Sequence, residues 1–170
     1  MKKIILILTL LFPLWTTAQP SRADLLKQLN SDIWYPFLKG VNENNARLYT
    51  RVHADEFYWV LAGTRTRIMN FKEYVADADK VMSQRAAKGI TTELNVRFME
   101  RNVNEEFASE KCVIQWISKE SDAKSTISFG TVQVFSRKIN GVWKKIVQYV
   151  HTESVSEEMF SLAFSLEKTD

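Results

Sequence analysis

The chain has 170 residues, 45% hydrophobic and 25% charged, with 23 Lys plus Arg against 20 Asp plus Glu. That length and apolar content predict one domain able to bury its own core, and a single cysteine, Cys112, excludes an intramolecular disulfide. The formal net charge of +3 falls to +1 once Lys2 and Lys3 of the N-terminal leader are set aside, so bulk charge gives no support for binding nucleic acid or an anionic membrane.

In chain order, "MKKIILILTLLFPLWTTAQP" comes first. Lys2 and Lys3 precede an apolar run from Ile4 to Leu14, and small residues precede an expected cut between Ala18 and Gln19. The apolar run is about half the ~20 residues that a spanning helix needs. Residues 1–18 are therefore expected to be a secretory signal peptide, the protein secreted or periplasmic, and no membrane contact is expected after cleavage. Residues 19–30 read as a lead-in helix, 31–154 as the main domain and 155–170 as a closing helix.

Leu26, Leu29, Ile33, Phe37 and Val41 recur at helical spacing through residues 22–43. Pro36 predicts a kink there or a fresh start near Ser31 or Asp32. A short helix after Asn44 or Asn45 is expected to end near His53, as a cation at its C-terminus. "EFYWVLAGTRTRIM" reads as a hairpin turning at Ala62-Gly63. Asn70 and Glu73 then form a capping box for a helix with Phe71, Tyr74, Val75, Ala78 and Met82 on one stripe, stopped by Gly89.

Beyond Gly89 the period changes to two. Leu94, Val96 and Phe98 share one face of "TTELNVRFMERNV", and Asn95, Arg97 and Met99 the other. Three more strands follow, in "EFASEKCVIQWIS", "STISFGTVQVFSRKI" and "VWKKIVQYVHTE", the last two joined by Asn140-Gly141, a strong hairpin signal. Cys112, inside a strand, reads as a small buried hydrophobe. "SVSEEMFSLAFSLEK" reads as a helix with Ser154 and Glu157 as its capping box, able to cover a cavity mouth or bind a partner. Helices followed by a meander define an α+β fold. His53 and His151 are the only imidazoles and have no metal-ligand spacing; there is also no nucleophile elbow, Walker loop or dinucleotide fingerprint. Neither a metal nor a cofactor is expected.

The element order, together with "FLKGVNENNARLYTRVHADEFYWV", the helix after the Gly63 hairpin and "KINGVWKKIVQYVHTES", resembles the cone fold of nuclear transport factor 2, ketosteroid isomerase and the SnoaL-like polyketide cyclases over residues 31–154. The resemblance implies a curved mixed sheet wrapped around N-terminal helices, a pocket inside the cone, and a homodimer through the sheet's outer face. It places the isomerase base on Leu61, the oxyanion Tyr on Phe37 and the second donor near Thr131. All three are replaced, so steroid-isomerase chemistry is not expected. Phe57, Trp59 and Leu61 would face the cone, with Thr131 and Gln133 beside them from the fifth strand. Trp34, Phe37, Phe57 and Trp59 then either fill the cone as core or wall an apolar pocket.

His151 falls inside or outside according to register. Straight alternation groups it with Trp143, Lys145, Val147 and Tyr149. The isomerase-like alignment turns Ile146, Gln148 and Val150 inward instead, and a bulge near Lys144 and Lys145 would reconcile the two. The expected function is a small-molecule-binding protein for an apolar or amphipathic ligand, with Thr131, Gln133, Tyr149 and His151 as polar handles. The alternatives are a lyase, isomerase or cyclase using His151 or Asp55 as acid/base, and a dimeric interaction module.

Overall fold

In the computed structural model, residues 19–63, 66–120, 124–151 and 155–168 are described. Helix α1 (Arg22–Leu29) starts at Ser21, whose side chain accepts from the Asp24 N–H while the Asp24 carboxylate accepts from the Ser21 N–H. Asn30–Trp34 form a π-helical turn, and α2 (Tyr35–Asn42) continues with Pro36 in its first turn. The expected kink or restart is thus a widened turn. There the i→i−4 ladder is already broken, so the donor that proline lacks is missed least. Asn45 caps α3 (Ala46–Thr50) by accepting from the Leu48 N–H.

Strands β1 (His53–Ala62) and β2 (Arg67–Asn70) form the first hairpin, and α4 (Phe71–Ala87) follows with the expected Asn70–Glu73 capping box. Gly89 ends it with a positive φ of 64°. Then come β3 (Thr91–Val103), β4 (Phe107–Lys119), β5 (Thr126–Ile139) and β6 (Val142–His151). The sheet order is β2-β1-β6-β5-β4-β3, with β1 and β6 parallel and every other pair antiparallel. Asn140 and Gly141, both at positive φ, make the turn between β5 and β6.

The sheet's inner face closes on the helices. Leu26, Leu29, Ile33, Trp34, Phe37 and Val41 meet Leu94, Val96, Phe98, Val132, Val134 and Trp143 in the main core. Phe57, Met69 and Tyr74 form a second cluster under α4, with Trp59 packed against it. A buried polar network ties the layers together. Arg101 Nε donates to Glu110 Oε1 at 2.7 Å, Trp34 Nε1 donates to Glu110 Oε2 at 2.9 Å, and Arg101 also reaches Asn30 Oδ1.

The C-terminal segment departs from expectation. Helix α5 (Glu157–Leu162) is capped by Ser156; Ser154 lies outside the described residues. It sits on the outer face, with Phe160 against Phe129 and the Arg97 guanidinium, so it does not cover the cone. The tail then turns round the edge of β3. Phe164 and Phe98 exchange backbone hydrogen bonds, and the carbonyl of buried Leu166 accepts from Asn30. That covers an otherwise open strand edge.

Helices α2 and α3 touch backbone to backbone at Gly40, where a Cβ would stand 2.4 Å from the Tyr49 nitrogen. Gly40→Ala should therefore cost about 1–3 kcal/mol in urea unfolding. Gly130→Ala should be near neutral, because its Cβ would meet only Ile114 at an ordinary 3.6 Å. Equal effects would contradict this packing. Glu110→Ala should cost about 3–5 kcal/mol by leaving Arg101 buried and uncompensated, and an exposed-site cost below about 1 kcal/mol would show the pair to be hydrated.

Candidate functional site

What faces the cone is decided by β6. Phe135 pairs with Val147 and Ser136 with Lys145, so Ile146 is an extra, bulged residue. Before the bulge Trp143 and Lys145 point inward; after it Gln148 does, with Val150 packed against the core. Each of the two sequence registers therefore holds for half of the strand. His151 ends on the outer face, in a cross-strand row with Ala62, Thr131, Val113 and Arg97. Tyr149 stands next to it, ring centroids 4.6 Å apart, in the row that contains Gln133.

The inward placement expected for Thr131 and Gln133 is thereby corrected. The residues of β5 that pack into the core are Val132 and Val134, and Gln133 donates to Ser109 on the outer side. Thr131, Gln133, Tyr149 and His151 share one face, opposite Trp34 and Phe37. Asp55 is exposed, and Phe57 and Trp59 belong to the second cluster under α4. His53 is not a helix-capping cation. Its Nδ1–H donates to the Thr50 carbonyl at 2.9 Å, while burial first and nearby Lys145 second hold its pKa well below the usual value. That leaves Nε2 an acceptor with no hydrogen-bond partner among the described residues, enclosed by Phe37, Tyr49, Phe57 and Tyr74.

Inside the cone lies a cavity of about 60 Å³, walled by Trp34, Phe37, Tyr49, Trp116, Cys112 and Ile114, with Lys145 and Gln148 as polar lining. A second cavity of about 90 Å³ adjoins it past Tyr49 and Trp116 and leads toward Asp77 and Arg85 on α4. Arg85 lies over the Trp116 ring, 4.7 Å from its centroid. Tyr49 and Tyr74 share a hydroxyl–hydroxyl hydrogen bond, and burial pushes the Tyr49 phenol up to about 12.

Lys145 is the unusual member. It is fully buried, its Nζ 3.3 Å from the centroid of Phe37 and 4.6 Å from that of Trp34, and it donates to Gln148 Oε1 at 3.3 Å. Burial pulls its pKa down to about 7, against an opposing pull from Cys112 and Glu110. The Cys112 thiol is pushed up to about 12 by the same burial and stays protonated. Chemically the arrangement can hydrogen-bond an oxygen-bearing group in a nearly dry aromatic chamber, and it can present a neutral amine near pH 7. Among the described residues no cluster of His, Cys, Asp or Glu could hold a metal ion.

Reasoning from sequence alone missed Tyr49 and Trp116 as lining, and it placed Lys145 and Gln148 only in rival registers without naming either as a site residue. The available signal was the Lys144-Lys145 pair next to Trp143, because alternation must send one of two adjacent charges inward.

No family model and no curated protein matches this chain. Solved structures do. A ketosteroid isomerase-like protein from Erwinia carotovora atroseptica has a TM-score of 0.56 at 11% identity, covering 77% of this chain and 96% of its own. A nuclear transport factor 2-like protein with a cystatin-like fold from Novosphingobium aromaticivorans scores 0.59 at 10% identity, covering 81% and 88%. A Catenulispora acidiphila protein in complex with S-DNPA scores 0.62 at 9% identity, covering 76% and 93%. The molecule is thus an α+β cone of the nuclear transport factor 2-like, ketosteroid isomerase-like fold, as its element order implied.

Lys145 also sets a pH signature. Its folded pKa is depressed, so its contribution is full above the unfolded value near 10.4 and is lost as pH falls toward about 7. His53, Glu110 and Cys112 interact with it, Arg101 stands behind Glu110, and the Cys112 and Tyr49 shifts act in the opposite sense above pH 9 to 10. Between pH 7 and 9 the wild type should therefore gain stability, and Lys145→Met should remove that gain. A flat wild-type profile of melting temperature would place the amine in water.

Proposed function

We propose that this chain is an exported small-molecule-binding protein whose ligand enters the cone between α4 and β4 and lays an oxygen-bearing head against Lys145 and Gln148. The observation that carries this reading is the buried amine itself. A lysine enclosed by Trp34, Phe37 and Cys112 costs stability that a methionine of similar shape would not, and the cavity beside it gives that cost a use. A neighbour of the same architecture is solved in complex with S-DNPA, which supports a ligand role for the fold. The ligand is small and amphipathic: a carboxylate or carbonyl head for Lys145, and a short apolar body against Tyr49 and Trp116.

A second reading, dimerisation through the outer face, is favoured by the row Tyr58, Val147, Phe135 and Ser109 across four strands, in which Tyr58 and Phe135 are exposed. In that arrangement His151 and Tyr149 lie near the contact and take no part in the cavity.

The test is native mass spectrometry of the protein purified from a secreting host, followed by titration with straight-chain carboxylates and aldehydes of two to six carbons. The expected result is one ligand per subunit, with a chain-length optimum and a tenfold or greater loss in Lys145→Met, about 1.4 kcal/mol or more. His151→Ala should bind as the wild type does. Equal binding by wild type and Lys145→Met, or no binding by either, would overturn the proposal.

A further inference from the structure

Most buried lysines turn the amine toward a carboxylate or back to solvent. Lys145 does neither: its hydrogen-bond partner is the side-chain carbonyl of Gln148, and its other neighbours are the faces of Trp34 and Phe37 and the cavity. Glu110, the nearest acid to influence it, is already engaged by Arg101 and Trp34. An ammonium here would have only the faces of Trp34 and Phe37 and the field of a carboxylate already paired with Arg101 to offset its burial, whereas a neutral amine keeps a lone pair in a chamber with room for a few atoms.

We propose, resting on the ligand site above, that Lys145 is a carbonyl-capturing amine and that the cone takes a small aldehyde or ketone as an imine. The Nζ lone pair attacks the carbonyl carbon, the C–N bond forms and the π pair moves to oxygen. A proton passes from nitrogen to that oxygen to give a carbinolamine. The nitrogen lone pair then expels the hydroxyl group, which leaves as water with a proton from solvent, and the nitrogen returns one proton to solvent. Overall one amine and one carbonyl give one imine and one water, with no change of oxidation state.

Three features of the chamber suit this step. The aromatic walls exclude bulk water, which otherwise reverses the condensation. The depressed pKa of Lys145 keeps a large neutral fraction at pH 7, as activated lysine nucleophiles require. The second cavity shares the Tyr49 and Trp116 walls and reaches Asp77 and Arg85, and in this proposal it is the side on which the released water leaves. The size also selects: about 60 Å³ admits a short-chain carbonyl compound and excludes a ring system unless Tyr49 and Trp116 move.

The test incubates the folded protein with propanal or pyruvate and sodium cyanoborohydride, which reduces an imine to a stable secondary amine, from pH 6 to 8. Intact mass and peptide mapping are then read. A single adduct is expected at Lys145, formed at least tenfold faster than at any other lysine and rising with pH. It should be absent in Lys145→Arg, a variant whose fold is checked by circular dichroism. Adducts spread over the exposed lysines, with none preferred at Lys145, would overturn the proposal, and the wild-type peptide map alone decides this even if the variant does not fold. Carboxylate binding that depends on Lys145 without any adduct there sinks the imine and leaves the binding proposal standing. Absence of both sinks both.

Discussion

The buried carboxylate of Glu110 is the constraint around which this cone is organised. It sits on the inner face of β4, fully buried, and is reached from three directions: Arg101 on β3, Trp34 in the π-helical turn, and the field of Lys145 on β6. Through Arg101 the same group is linked to Asn30 and to the carbonyl of Leu166 in the C-terminal tail. A single buried pair thus joins the N-terminal helices, the neighbouring strands β3 and β4 and the C-terminal tail. Its worth is not net stability, since a well-packed apolar replacement is often as good. What it adds is directional: neither the π turn nor the tail can slide by a residue without leaving a buried charge unmatched.

That directionality extends to the bulge at Ile146. In an unbulged β6, Lys145 and Gln148 would fall on opposite faces of the strand, because they are three residues apart. The extra residue brings both inward and sends Val147, Tyr149 and His151 out. β1 shows a matching irregularity: between His53 and Tyr58 it advances five residues while β6 advances two, from Lys145 to Val147. Together the two irregularities bend the sheet around the aromatic cluster and turn His53 into the interior as a neutral acceptor. The polar side chains of the cavity are therefore consequences of where the strands depart from regularity.

This accounts for what could and could not be read from the residues. Local signals were faithful: the Asn70–Glu73 box, the Asn140-Gly141 turn and the alternation of Leu94, Val96 and Phe98 each report on a few neighbours, and each is found where expected. The pairing of adjacent lysines in "WKKI" was likewise a true sign of a bulge. Side-chain facing after the bulge was not legible, because one unpaired residue inverts every later assignment. That single step turns Gln148 inward and puts Tyr149 and His151 on the outer face. Thr131 and Gln133 lie there for another reason, because regular alternation along β5 sends Val132 and Val134 inward, one residue off the register the resemblance implied. Tyr49 was hidden for a different reason. Its position depends on the backbone contact at Gly40, a tertiary fact with no sequence period.

The size of the cavity and the state of Lys145 are one fact seen twice. Ligand pockets usually occupy several hundred Å³, and a chamber that large would hold enough water to solvate an ammonium and return its pKa toward the ordinary value. At about 60 Å³, with Trp34 and Phe37 against the amine, hydration is minimal and the neutral form is competitive near pH 7. Enlarging the chamber to take a bulkier ligand would require Trp116 to leave the Arg85 guanidinium stacked on it, and water would follow along the same route. The ligand that best preserves the chemistry of this lysine is therefore one that fits without opening the cone. A small molecule that fills the chamber keeps the amine shielded from solvent at the moment it is contacted.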